Sequence, residues 1–187
     1  MRRTALLAVI IAAIAAPAEA RTAPDCRFPD GRAYERFGAI QTFTADSELY
    51  GCLTDVGRAY RLDTGTIHVR SDATRRAVAG FGDWVAYPVR TAAGKRRLRA
   101  INLRTGDRHA ARVAEAATAV VVNLRGTLAW IAGTELRAKR LGAPQRLLAS
   151  ESTIDRGFLS LERDEGCAVT WLADGEQRSS TIDCAPG

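Results

Sequence analysis

A repeated unit of about forty residues is the feature of this sequence that most restricts its fold. Three short apolar runs each carry a tryptophan, Trp84, Trp130 and Trp171, and these stand 46 and 41 residues apart. The glycine turns Leu62–Gly65 and Leu103–Gly106 are also 41 residues apart. A period of this length, with several strands in each unit, is typical of arrays of small antiparallel β-sheets.

Short apolar runs separated by turn residues predict strands along most of the chain. Val120–Val122 and Leu147–Leu148 are β-compatible, with turn residues a few positions away. Glu135–Arg140 contains helix-forming residues, but it is too short for a stable helix between two glycines and is predicted as a strand. Arg112–Ala119 is rich in alanine and could form a short helical turn. We expect no helix longer than about two turns.

The predicted strands divide into four units. Unit four contains only three strands, ending with Arg178–Cys184, and a spare strand, Ala33–Phe37, precedes unit one. We expect this spare strand to complete unit four and close a ring, because exposed sheet edges have to be short or covered. The strands assigned to unit one are Ile40–Thr44, Leu49–Leu53, Arg58–Leu62 and Thr66–Arg70.

One turn of the repeat resembles a known blade motif. Asn102–Asp107 is similar to the turn between the third and fourth strands of WD40-like and TolB-like propeller blades, which usually reads Asp-Leu-x-Thr-Gly-Glu. The chain after its N-terminal segment also resembles uncharacterised exported proteins of actinobacterial type, with the same layout of signal, cysteine and repeat. The Gly-His and Trp-Asp pairs of true WD40 repeats are absent. The resemblance implies a fold and a compartment but no catalytic residue, because these turns are structural.

The fold class predicted from these patterns is all-β, a small β-propeller-like array of about four antiparallel blade units. An open β-repeat arc or a β-sandwich is the alternative, because a ring of four units would be small. The predicted organisation is a signal peptide at 1–20, an irregular segment at 21–32 and a single β-repeat domain at 33–187.

The N-terminus has the pattern of a secretory signal. Met1–Arg3 is basic, Ala5–Ala16 is an unbroken apolar run, and Ala18–Ala20 supplies a small-x-small cleavage site. The apolar run is too short to span a bilayer as a helix. We therefore expect a mature chain that begins at Arg21, has no stable membrane span and is secreted or held in the cell envelope.

All of the cysteines follow the predicted signal, and an even number in an oxidising compartment predicts two disulfides. If Asp174–Gln177 forms a four-residue hairpin loop, Cys167 faces Cys184 directly, and opposed residues of a hairpin are close enough to be bridged. The pair Cys26–Cys52 follows by elimination. Zinc binding is a weak rival, because no Cys-x-x-Cys sequence is present.

Catalytic signatures are absent from the sequence, including Gly-x-Ser-x-Gly, His-Glu-x-x-His and phosphate-binding glycine loops. His68 and His109 are expected to be structural, so neither a metal site nor a cofactor is predicted. An exported hydrolase that acts through carboxylates on a loop face is the alternative function. No spacing selects among its candidate acids, which are Asp46, Glu48, Asp155 and Glu162.

The net charge of +6 comes almost entirely from arginine. The densest basic run offers Lys95, Arg96, Arg97 and Arg99 as contacts for an anion. Strand alternation would place Arg97 and Arg99 on one face and Leu98 on the other. Protection of a sheet edge by charge is the alternative that we favour at the level of sequence.

The predicted function is a secreted, disulfide-stabilised binding or scaffold module. Its partner would be an anionic cell-envelope polymer or a protein, whereas nucleic acid is not expected. A truncated descendant of a larger propeller, without a ligand site, is a further alternative. The matching tryptophans are expected to pack between blades rather than stack on a ligand. We expect no hydrolytic activity, and ligand binding that is weak and sensitive to salt.

Overall fold

Every regular element in the described part of the chain is a β-strand. The computed structural model describes residues 26, 32–45, 48–63, 78–91, 93–162 and 167–182. The predicted signal peptide and most of the predicted irregular segment lie outside these residues. The strands are β1 (Arg32–Phe37), β2 (Ile40–Ala45), β3 (Glu48–Leu53), β4 (Arg58–Asp63), β5 (Ala79–Phe81), β6 (Trp84–Arg90), β7 (Arg96–Asn102), β8 (Arg108–Arg112), β9 (Ala117–Val122), β10 (Leu128–Ala132), β11 (Glu135–Lys139), β12 (Arg146–Ser150), β13 (Ile154–Leu161), β14 (Ala168–Ala173) and β15 (Glu176–Thr181).

The strands form four separate antiparallel sheets in chain order, which we call blades. Blade I contains β1–β4, blade II β5–β8, blade III β9–β12 and blade IV the three strands β13–β15. The prediction of an all-β array of about four antiparallel units is confirmed. Between Arg112 and Ala117 the chain makes an irregular connection, so the helical turn allowed for this stretch does not form.

The first strand of each blade lies innermost. Strand β5 packs against β1 and β9, and β9 packs against β13. Residues of all four strands line one cavity of about 390 Å³. The sheets are therefore arranged around a common axis, as in a small propeller.

Apolar layers between neighbouring blades form most of the core. Strand β10 is buried on both faces: Leu128 and Trp130 join the layer between blades II and III, and Ile131 joins the layer between blades III and IV. A third layer lies between blades I and II. The other face of blade I carries a smaller cluster around Phe43 and Cys52.

The assignment of strands to unit one is wrong by one strand. Strand β1 pairs with β2, so it is the inner strand of blade I and does not complete blade IV. A two-residue turn at Gly38 and Ala39 joins β1 to β2, and Gly38 adopts a φ of 58°. Closing this local hairpin costs far less chain entropy than reaching a strand at the other end of the domain. Thr66–Arg70 lies outside the described residues.

The tryptophans are buried between blades as expected, but they do not occupy equivalent positions. Trp130 and Trp171 pack toward the preceding blade, whereas Trp84 packs toward the following one. Tyr87 is the aromatic residue of β6 that faces the preceding blade, and its hydroxyl donates to the carbonyl of Leu62. The spacing of the tryptophans did not reveal this difference, because successive side chains of a strand point to opposite faces of the sheet.

The two glycine turns that lie 41 residues apart are likewise not at equivalent positions in their blades. Leu103 follows the third strand of blade II, whereas Leu62 lies near the end of the fourth strand of blade I. The turn from Asn102 to Asp107 does join the third and fourth strands of its blade, as the resemblance implied. Asn102 Oδ1 accepts the backbone N–H groups of Arg104 at 2.8 Å and Thr105 at 3.0 Å, which explains how asparagine replaces the usual aspartate.

The last hairpin has a different register from the one predicted. Asp174 and Gly175 form a two-residue turn with φ values of 54° and 78°, so that Trp171 pairs with Arg178 and Ala173 with Glu176. The Asp-Gly sequence favours this tight turn, because both central residues need positive φ. The four-residue loop is therefore wrong, and the backbone N–H of Ile182 donates to the carbonyl of Cys167.

Cysteine pairing follows the prediction where it is described. Cys26 and Cys52 form a disulfide with a Cα–Cα distance of 5.7 Å, which ties the N-terminal segment to the outer face of blade I. Cys167 is buried and disulfide-bonded. Cys184 lies outside the described residues, so its pairing with Cys167 stays a prediction.

Candidate anion-binding cleft between blades II and III

A cationic cleft lies at the junction between blades II and III. Its volume is about 690 Å³, which is within the range of ligand pockets. Blade II supplies one wall and blade III the other, and Val113 and Ala114 of the connection between the blades lie between them. The charged or amide-bearing residues in its lining are Arg90, Lys95, Arg96, Arg97, Arg112, Glu135, Arg137 and Gln145.

Two arginines face each other on the blade II wall. Arg90 at the end of β6 pairs in register with Arg96 at the start of β7. They share a sheet face with Ala86 and Leu98, which are buried in the layer against blade III. Lys95, in the turn between the two strands, is exposed beside them. Like charges directly opposite each other destabilise a sheet, so this arrangement costs stability.

A second pair of opposed arginines lies on the other face of the same sheet. Arg97 pairs in register with Arg112 of β8, and both residues line the cleft. Leu98 is fully buried, as the predicted alternation requires. Arg97 Nε is buried and has no hydrogen-bond partner among the described residues. Arg99 does not line the cleft.

Edge protection, the interpretation favoured from the sequence, does not account for this basic run. Strand β7 lies between β6 and β8 in the sheet order β5-β6-β7-β8. Both of its backbone edges are therefore paired, and its arginines protect no edge. Arg112, on the outermost strand of blade II, is the cleft arginine for which that explanation still holds.

The blade III wall carries Glu135, the one carboxylate among the described residues that line the cleft. Glu135 binds Arg137 through two hydrogen bonds, from Nε at 2.8 Å and from Nη2 at 3.2 Å. The guanidinium lowers the pKa of Glu135, and the carboxylate in turn raises the pKa of Arg137. Gln145 joins the two walls, because its Oε1 accepts the backbone N–H of Arg112 at 3.2 Å.

The cleft has a large excess of positive charge. Within the described residues, none of the side chains of Arg90, Lys95, Arg96, Arg97 and Arg112 forms an ion pair. Glu135, the carboxylate of the lining on blade III, is already bound by Arg137. Chemically, this lining can bind an anion, but its described residues offer no pair of groups for acid–base chemistry.

The junction that holds the two walls together contains a buried histidine. His109 of β8 lies with its Nε2 2.6 Å from the carbonyl of Gly126 in blade III, so Nε2 carries the proton that is donated. The ring meets Trp84 edge-on, with ring centroids 5.8 Å apart. Burial lowers the pKa of His109, and the nearby charge of Lys139 lowers it further against the opposing effect of the Gly126 hydrogen bond.

The axial cavity is a less suitable binding site. Short segments of the four inner strands line it, and most of their side chains are small or apolar. Glu35 is the only ionisable residue among the described residues that line it. The cavity therefore lacks the convergent polar groups that mark a specific site.

The carboxylates proposed for a hydrolase do not converge. Glu48 lies in blade I, where it binds Arg61 and accepts a hydrogen bond from the Tyr50 hydroxyl at 2.9 Å. Asp155 lies near the start of β13 and Glu162 directly follows its end, so the two carboxylates lie at opposite ends of this strand. Asp46 lies outside the described residues. No group of metal-binding side chains occurs among the residues that the structure describes, and none of these forms a helix able to cross a membrane.

No family model matches the chain, and no curated protein matches it. Among solved structures, the chain is similar to one from a structural and mechanistic study of two prolyl endopeptidases, with 18% identity and a TM-score of 0.44 over 84% of this chain and 30% of that one. It is also similar to the N-terminal domain of Nup159, with 12% identity and a TM-score of 0.38 over 79% of this chain and 42% of that domain. The chain thus spans less than half the length of either, and neither likeness supports a statement about activity.

Part of this cleft was visible in the sequence. Lys95, Arg96 and Arg97 were predicted as anion contacts and line it, whereas Arg90, Arg112 and the residues of blade III were not predicted. Arg90 could have been found from the hairpin itself, because the turn after it brings the chain back to Arg96. The blade III residues could not have been found, because their approach depends on how two blades pack.

Proposed function

We propose that this protein is an exported, non-catalytic binding module that holds an anionic ligand in the cleft between blades II and III. The opposed arginines Arg90 and Arg96 carry this proposal. They cost stability, they lie on the wall that faces blade III, and within the described residues no carboxylate neutralises them. A ligand that brings negative charge would remove their repulsion.

Export is supported by the sequence of the first twenty residues and by disulfide bonding at Cys26, Cys52 and Cys167. In an extracytoplasmic compartment, the anionic polymers of the cell envelope and exported proteins are the partners that such a module would meet. The rigid β array suits this role, because walls built on paired strands fix the backbone positions from which the charged side chains extend.

The test compares Arg96→Glu with Arg108→Glu. Both replace one arginine of blade II, but Arg108 is exposed, lines neither cavity and pairs in register with the uncharged Ile101. Binding of fluorescein-labelled heparin, used as a generic polyanion, is measured by fluorescence anisotropy at low salt. We expect Arg96→Glu to weaken binding at least fivefold and Arg108→Glu to change it less than twofold.

Thermal unfolding of the same variants measures their stability as a second, independent test. Arg96→Glu replaces a repulsive cross-strand pair by an attractive one, so it should raise the free energy of unfolding by about 0.5–1 kcal/mol while it weakens binding. Equal loss of binding in both variants would show diffuse attraction to an arginine-rich surface and would refute the cleft as the site.

A further inference from the structure

The density of positive charge in the cleft limits the kind of anion that fits it. Of the residues that line the cleft, a volume of about 690 Å³ equivalent to a cube with edges of about 9 Å, five are cations without an ion pair among the described residues. A ligand that matches them has to place several negative charges within that length. Successive charges in a phosphodiester polymer are separated by a sugar or polyol unit, so only a few of them would fit.

The chemical type of the cations further restricts which anions the cleft can bind. Four of the five are arginines, Arg90, Arg96, Arg97 and Arg112. A guanidinium presents a planar fork of N–H donors that matches two oxygens of one phosphate, and it is more weakly hydrated than an ammonium group. These donors favour an anion with many closely spaced oxygens.

The blade III wall excludes ligands that need a free carboxylate. Glu135 is engaged by Arg137 through both of its oxygens, so it is not available to bind a cationic or hydroxyl-rich group without breaking that pair. The uncharged polar side chain in the lining is Gln145, whose Oε1 is used by the Arg112 backbone. Little in the cleft would recognise the sugar of a glycan or nucleotide.

We infer that the cleft binds condensed phosphate, a chain of three or more phosphate groups that share bridging oxygens. In such a chain, each unit adds charge without a neutral spacer, so several charges lie within the length of the cleft. This inference rests on the proposed function, because it names the ligand class of the same site.

Isothermal titration calorimetry at about 150 mM salt tests whether the cleft binds condensed phosphate. The ligands compared are orthophosphate, pyrophosphate, tripolyphosphate, citrate and a thymidine oligonucleotide of the same total charge as tripolyphosphate. We expect affinity to rise at least fivefold with each added phosphate. Tripolyphosphate should bind at least tenfold more tightly than citrate or the oligonucleotide. Arg96→Glu should abolish tripolyphosphate binding, and Arg108→Glu should leave it unchanged.

Each other result has a distinct meaning. Equal binding of citrate and tripolyphosphate would overturn the preference for phosphate, and equal or tighter binding of the oligonucleotide would overturn condensed phosphate as the ligand. In both cases, the proposed function would stand if Arg96→Glu still removed binding. Absence of binding for every anion would overturn the inference, and the heparin comparison of Arg96→Glu with Arg108→Glu would then decide the proposed function.

Discussion

The indole of Trp84 in blade II lies against the backbone of Gly126 in blade III. A Cβ atom added at Gly126 would lie 2.6 Å from Trp84 Cζ2, well inside van der Waals contact, and the φ of Gly126 is 72°. Trp84 is only 4% exposed and cannot move without disturbing the layer between the two blades. This contact helps to set the approach of blades II and III, at the end of β6 opposite to Arg90.

Gly126→Ala should therefore strongly destabilise the fold. We expect a loss of about 3 kcal/mol or more in the free energy of unfolding, from the clash and from the positive φ together. Gly142→Ala is the matched control, because Gly142 has a φ of 76° but open space around its Cα. It should cost only about 1 kcal/mol. Chemical denaturation measures both, and equal losses would contradict the role of the Trp84 contact.

His109 should make stability depend on pH. Its pKa is lowered in the folded state, so the unfolded chain takes up a proton at a higher pH than the folded chain does. The stability is therefore fully present above about pH 6.5 and falls as the pH drops toward the folded pKa, by no more than about 1.4 kcal/mol per pH unit. Urea unfolding between about pH 7.5 and 5.5 should show this slope in the wild type and in His68→Gln, and it should disappear in His109→Gln. A slope that persists in His109→Gln would assign it to other groups.

The sequence predicted the fold class and the repeating unit better than it predicted which strands belong to which blade. Alternation of apolar residues and spacing of turns correctly predicted strands, because both follow from local chain geometry. The assignment of strands to blade I and the orientation of Trp84 were wrong, because the pattern of a strand does not reveal which neighbouring blade each of its faces packs against. For the cleft, the local run at Lys95–Arg97 was visible, whereas Glu135 and Gln145 arrive through packing between blades.

Cys167 and Cys184 should form the second disulfide even though the hairpin register differs from the prediction. Cys167 is disulfide-bonded, and Cys26 is bonded to Cys52, which leaves Cys184 as its intramolecular partner in a four-cysteine chain. Non-reducing peptide mapping should link residues 167 and 184. Replacing both by serine should cost about 3 kcal/mol, the value expected for a closed loop of this length. A peptide that links Cys184 to Cys26 would contradict this pairing.

Glu135→Gln should strengthen anion binding. The change removes the carboxylate from the cleft and releases the guanidinium of Arg137, so the positive charge available to a ligand increases. We expect tripolyphosphate to bind about three- to tenfold more tightly in calorimetry at constant salt. Glu151→Gln is the control, because Glu151 also pairs with an arginine, Arg178 at 2.6 Å, but does not line the cleft. A similar gain in the control would mean that net charge alone determines binding.

The most direct test of the anion site is to map it in solution. Two-dimensional NMR of the ¹⁵N-labelled protein, titrated with tripolyphosphate, reports which backbone amides sense the ligand. We expect the largest saturable shifts at Lys95, Arg96, Ala114 and Arg137, which line the cleft from both blades. Shifts centred on the axial cavity, at Gly80, Ala119 and Ser160, or spread evenly over the arginine-rich surface would contradict it.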